Sequence, residues 1–172
     1  MDNFCEQLVE RRKTGGDVGK IVALSTVLAL GAAASVFFAF YSGWMILLLV
    51  AVGLVVLAAW LIMGMNVEYE YIVTNNEMDI DKIIGRRTRK RMITIELDKT
   101  EDFGAYPSET DIDAETTVHA TTGLELNAHY LVVKHKDYGK VKIIFNPNEK
   151  LREAIAREFP KSVSAKIQHY GK

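Results

Sequence analysis

A single cysteine, Cys5, stands in this chain of 172 residues, which excludes an internal disulfide and any metal site built on cysteine pairs. A reducing, cytoplasmic setting is compatible with that. Cys5 could carry an acyl group beside a membrane, although a lone cysteine near a terminus is more often inert. Histidine is scarce too: His119, His129, His135 and His169 include no helical pair four residues apart. His129 and His135 share a strand face but lie about 20 Å apart at strand spacing, too far to ligate one ion. The acidic stretch from Glu109 to Glu115 lacks the glycine and terminal glutamate of a calcium loop, so it reads as solvated. Neither a phosphate-cradling glycine loop nor a nucleophile elbow is present. No catalytic residue, metal or cofactor is therefore expected, and the first reading is not an enzyme.

The most informative absence is charge. All 21 Lys and Arg and all 22 Asp and Glu fall outside the interval from Ile21 to Met65. A bilayer-crossing helix needs roughly 20 apolar residues, so the interval predicts two passes, over about 20–40 and 44–63, joined by a turn at Tyr41, Ser42 and Gly43. Trp44 and Trp60 suit the two headgroup levels. Arg11, Arg12, Lys13 and Lys20 precede the pair, and Lys82, Arg86, Arg87, Arg89, Lys90 and Arg91 follow it, whereas the turn carries no charge. The positive-inside rule then places both termini in the cytoplasm of an integral cell-membrane protein. Gly31-Ala32-Ala33-Ala34-Ser35 resembles a signal-peptidase site, but the apolar run continues to Phe40 and acidic residues interrupt the N-terminal region. Small residues there serve close helix approach and leave room for self-association.

The flanks read differently. Residues 1–19 form a juxtamembrane segment in which Phe4 and Leu8, joined by Cys5 and Val9, make one helical stripe, which predicts an amphipathic helix lying flat on the membrane or, equally, a short frayed helix ended by Gly15-Gly16. From Asn66 the period changes to two. Val67–Val73 and Met78–Ile84 predict a hairpin around Thr74–Glu77, and Met92–Leu97 a third strand. The middle, 98–127, admits short strands near Phe103 and Val118, and leaves the strand count open. His129–His135 and Val141–Phe145 form another hairpin. Asn146-Pro147-Asn148-Glu149 predicts a helix capped by Asn146, with Leu151, Ile155 and Phe159 on one face and Pro160 as its end. Residues 161–172 read as a polar tail. The fold class is thus a membrane α-helical hairpin (20–65) plus an α+β, mainly-β soluble domain (66–160).

The run from Glu68 to Leu97, EYEYIVTNNEMDIDKIIGRRTRKRMITIEL, resembles the opening of the bacterial pleckstrin-homology-like (PH-like) domains that follow paired membrane helices. Tyr71, Val73, Thr74, Ile80, Gly85, Arg86, Arg87, Arg91 and Ile93 carry the resemblance. It implies a curled antiparallel sheet or barrel closed by a C-terminal helix, in a family that is generally non-enzymatic and largely without assigned roles.

The sharpest candidate site is the basic turn, Arg86, Arg87, Arg89, Lys90 and Arg91. Anionic headgroups favour each such residue near the surface by about 1 kcal/mol, so the cluster reads as a lipid- or partner-binding foot beside the bilayer. Its rival is a turn paired with Glu68, Glu70, Asp79 and Asp81 across the hairpin. Nucleic acid is not an expected partner, because the soluble part is not basic overall. The function expected is a binding or scaffolding module acting through this turn or an open sheet edge. The alternatives are an accessory subunit of a larger membrane complex, or a membrane-bound enzyme drawing on 98–127.

Overall fold

The structure is a computed structural model in which residues 3–107, 113–123 and 127–170 are described, with side chains as far as 165. Most of the acidic stretch, 109–112, lies outside the described residues. The chain divides into two compact units, Lys13–Asn66, and Met1–Arg12 together with Val67–Lys172.

The first unit is a pair of helices, α1 (Gly15–Ser42) and α2 (Ile46–Gly64). Gly15-Gly16 begin α1 rather than stopping a preceding helix, because Thr14 and Asp17 form a reciprocal capping box that satisfies two of the free N–H groups at the helix start. Gly43, with φ 76°, ends α1 in the left-handed region that glycine adopts without a Cβ clash. At 1.5 Å per residue the helices run about 42 and 28 Å, and both are long and apolar enough to cross a bilayer. Gly31 allows close approach, since a Cβ there would meet Leu54 Cδ1 at 3.3 Å. Ala39 and Ala51 are buried. The hydroxyls of Ser25, Thr26, Ser35 and Ser42 donate to carbonyls four residues back, so no exposed alcohol competes for a partner in hydrocarbon.

The second unit opens with a strand. Phe4–Glu10 is β1, not the amphipathic helix expected for this segment, and it pairs antiparallel with β2 (Val67–Thr74) from Phe4↔Thr74 to Glu10↔Glu68. Tertiary pairing overrides a weak helical stripe, because an isolated helix this short has little stability of its own. β2, β3 (Glu77–Ile84) and β4 (Thr88–Glu96) continue as a meander, giving the first sheet the order β1-β2-β3-β4. A single 3₁₀ turn at Leu97–Lys99 leads into the second sheet. Its members are β5 (Thr100–Ala105), β6 (Thr116–Ala120), β7 (His129–His135) and β8 (Gly139–Phe145), in the order β5-β7-β8-β6 with β6 parallel to β8. The illegible middle thus holds two strands, around Phe103 and Val118.

Tyr71, Met78, Ile80 and Ile95 from the first sheet meet Leu131, Val133, Ile143 and Phe145 from the second in one buried core. Each such side chain contributes about 1.5–3 kcal/mol on burial. Helix α3 (Glu149–Glu158) adds Leu151, Ala154 and Ile155. Its cap is Asn148, whose side chain accepts from Leu151 N–H, and not Asn146. The latter is engaged elsewhere: its N–H donates to the buried Tyr71 hydroxyl, and its Oδ1 accepts from Thr122 N–H. Pro160 ends α3 as expected, but Lys161–Tyr170 forms α4 in place of a polar tail, because Val163 reaches the core.

The candidate membrane-proximal face

The basic turn takes its shape from two residues. Gly85 (φ 60°) and Arg86 (φ 57°) are both left-handed, and Arg87 N–H donates to Ile84 O at 3.1 Å, which makes the tight turn whose twist suits a hairpin. Register fixes where the turn lies. Val67 is opposite Ile84, Ile84 is opposite Thr88, and Arg11 N–H donates to Val67 O at 2.9 Å. The chain leaves this unit after Arg12 and returns at Val67, so the turn sits at the sheet end where the apolar helices are spliced in. Arg11, Arg12, Arg86 and Arg87 share that end.

Beyond the turn the cluster separates by face. On the outer face, Arg86 spans Glu68 (2.7 Å) and Glu10 (2.8 Å), and Arg91 spans Asp81 (2.6 Å) and Asp79 (2.8 Å). Arg89 Nη2 lies 2.6 Å from Glu70 Oε2 as an ion pair without hydrogen-bond alignment. Thr94 adds a bond to Asp79 at 2.6 Å. Lys90 instead pairs with Lys82 on the opposite face. The five residues therefore do not form one patch. The four acids named as rivals in the sequence all pair with arginine, and β1 supplies a fifth, Glu10, that sequence reasoning missed because its segment was read as a helix.

Glu68, Glu70 and Asp81 are buried although they lie on an outer face, because the arginine stems cover them while the charged heads stay in water. Burial raises the Glu70 carboxyl above its ordinary range; Arg89 opposes this, and the neighbouring Glu6 carboxyl, hydrogen-bonded to Glu70, adds to it. The Arg86 and Arg91 guanidinium groups are held charged by their carboxylate partners. A guanidinium carries five N–H donors, so these arginines keep outward donors for a phosphate or carboxylate after the carboxylate ladder is satisfied.

The family model for the bacterial PH-like domain (DUF6106) matches residues 1–165, a span that takes in β1, both apolar helices and the two sheets. The chain belongs to this bacterial PH-like domain family. No match is found among curated proteins or solved structures. Membership supports a generic binding or scaffolding role, and PH-like domain families are generally non-catalytic. Within the PH-like domain the strand histidines are placed apart: His129 stacks on Phe103 and His135 packs against Tyr138. Among the described residues no group of three or more His, Cys, Asp or Glu is arranged to hold a metal.

Proposed function

We propose that this is an integral membrane protein whose PH-like domain sits in the cytoplasm, seated on the anionic inner leaflet by the basic end of its first sheet and free to bind a protein partner with the rest. The observation that carries this reading is the pairing of β1 with β2 across the spliced-in helices. Residues on either side of the hairpin must occupy one compartment for that ladder to form, and the surrounding Lys and Arg favour the cytoplasmic side. The same pairing brings Arg11 and Arg12 beside Arg86 and Arg87, next to the points where the chain passes into apolar sequence. About 1 kcal/mol per residue near an anionic surface is then added to an anchor that already holds the domain nearby.

The full chain, with Cys5→Ser and Thr88→Cys carrying a fluorophore, tests the seat in lipid nanodiscs. Quenching by brominated lipid is expected to be stronger in anionic than in neutral discs at low salt, and to fall when Arg86 and Arg87 are changed to Glu. Equal quenching in the two lipids would rule out the seat. Thiol labelling of Lys161→Cys from outside intact spheroplasts would overturn the cytoplasmic placement.

A further inference from the structure

Strand β1 is an outer edge of the first sheet. Arg11 N–H donates to Val67 O, and Asn75 N–H donates to Asn3 O, so the odd-numbered backbone groups of β1 are the ones turned toward β2. Antiparallel alternation turns the N–H and C=O of Phe4, Glu6, Leu8 and Glu10 the other way, and among the described residues these groups have no backbone partner on that side. The contacts of β1 with α3 and the chain before it come from the inward side chains: Asn3 donates to Ala154 O, and Gln7 bonds to Asn146 O and Asn148 N–H. Among the described residues they leave the even-numbered backbone row unbonded.

The side chains of the same four residues lie on the outer face, where Phe4 is 65% and Leu8 51% exposed. Glu6 and Glu10 alternate with them and are exposed as well. Soluble proteins usually guard such an edge with charge, proline or a bulge; between Phe4 and Glu10 β1 has neither proline nor bulge, and its charges are Glu6 and Glu10 alone. We infer that the open edge of β1 is a docking site for an extended segment of a partner protein in which every second residue, on one strand face, is apolar and basic by turns. The partner strand would pair with the backbone of Phe4 through Glu10, set its apolar residues beside Phe4 and Leu8, and set its Lys or Arg beside Glu6 and Glu10.

Charge selects this occupant over others. The outer face carries Glu6, Glu10, Glu68, Glu70, Glu77, Asp79, Asp81 and Glu96 against Arg86, Arg89, Arg91 and Lys99, so away from the basic end acidic groups remain in excess and favour a basic over an acidic strand. A second copy pairing through β1 would set glutamates near glutamates, which is unfavourable. The inference rests on the reading of this domain as a membrane-held binding module and names the chemistry of its partner.

The test uses the full chain in neutral nanodiscs, with a synthetic peptide as long as β1 as the probe, in which leucine and lysine take turns at every second position and threonine fills the positions between (the lysine–leucine probe). Binding is expected, with the same peptide carrying glutamate in place of lysine bound at least about tenfold more weakly. N-methylation of alternate peptide nitrogens on the pairing side should weaken the lysine–leucine probe by a similar factor. Leu8→Pro removes an outward N–H without touching the β1–β2 ladder and should also weaken it, whereas Leu8→Ala should do so less. If Leu8→Pro unfolds the domain, the N-methylated peptide decides. Equal binding of the N-methylated and plain probes, or of the acidic and basic probes, would overturn the edge as the site. Neither result bears on the lipid-quenching measurement, so failure of the edge and failure of the membrane seat are distinguishable.

Discussion

At the scale of single residues, the outer face of the first sheet turns on a carboxyl that is buried where carboxyls are usually solvated. Glu70 is only 4% exposed, lies beneath Arg89 and shares a hydrogen bond with Glu6. Its raised pKa means that the folded chain holds the proton more tightly than the unfolded chain. The stability contributed in this way is complete below the ordinary value of 4.5 and is lost as pH rises through the raised value. Glu70→Gln is neutral at every pH and keeps an acceptor for Arg89. Denaturation of the variant should therefore show a smaller fall in stability than the parent between pH 4.5 and neutrality, and a parallel pH profile in the two proteins would contradict the assignment. The four acids that pair with the arginines were legible in the sequence, because strand alternation puts Glu68, Glu70, Asp79 and Asp81 on one side. The burial of three of them was not, since it depends on arginine stems folding across from the Gly85–Arg87 turn and β4.

At the scale of elements, β1 is where sequence and structure part. Its outward residues are Phe4, Glu6, Leu8 and Glu10, and its inward ones include Cys5, Gln7 and Val9. Neither set is uniformly apolar, so period two is faint, while Phe4, Leu8, Cys5 and Val9 also fit a helical stripe. What decides the matter is a partner strand more than fifty residues away, which no local window contains. Gln7 shows why the element matters: its amide donates to Asn146 O at 2.9 Å and accepts from Asn148 N–H at 2.8 Å, tying β1 to the end of β8 and the cap of α3. Gln7→Ala removes both bonds and is expected to cost about 1–3 kcal/mol, measured by denaturant melts of the domain in detergent. An unchanged midpoint would show that water replaces the side chain without loss. The hairpins β2–β3 and β7–β8 were legible because their turns and alternation are local. The cap at Asn148 was not, because Asn146 and Asn148 offer the same side-chain chemistry, and it is Thr122, distant in sequence, that claims the side chain of the first.

At the scale of the whole molecule, the chain is a PH-like domain with an apolar helix pair spliced between its first two strands. Arg11 and Val67 are hydrogen-bonded neighbours, so the splice is formally replaceable by a turn. A chain in which residues 13–66 give way to a Gly- and Asn-rich loop of roughly four residues is expected to be water-soluble and to melt cooperatively, as read by circular dichroism. A molten or aggregated product would mean that the helices support the domain beyond joining its strands. Order of synthesis gives this splice a further consequence. The first strand leaves the ribosome before either helix exists, and it has nothing to pair with until both helices have been made and the chain has come back. With the helices crossing a bilayer as proposed, only an even number of crossings returns β2 to the compartment where β1 waits, so a chain that inserts with one crossing is left without a first strand. Correct insertion is thereby made a precondition of folding, and a topological error would present itself as an unfolded domain.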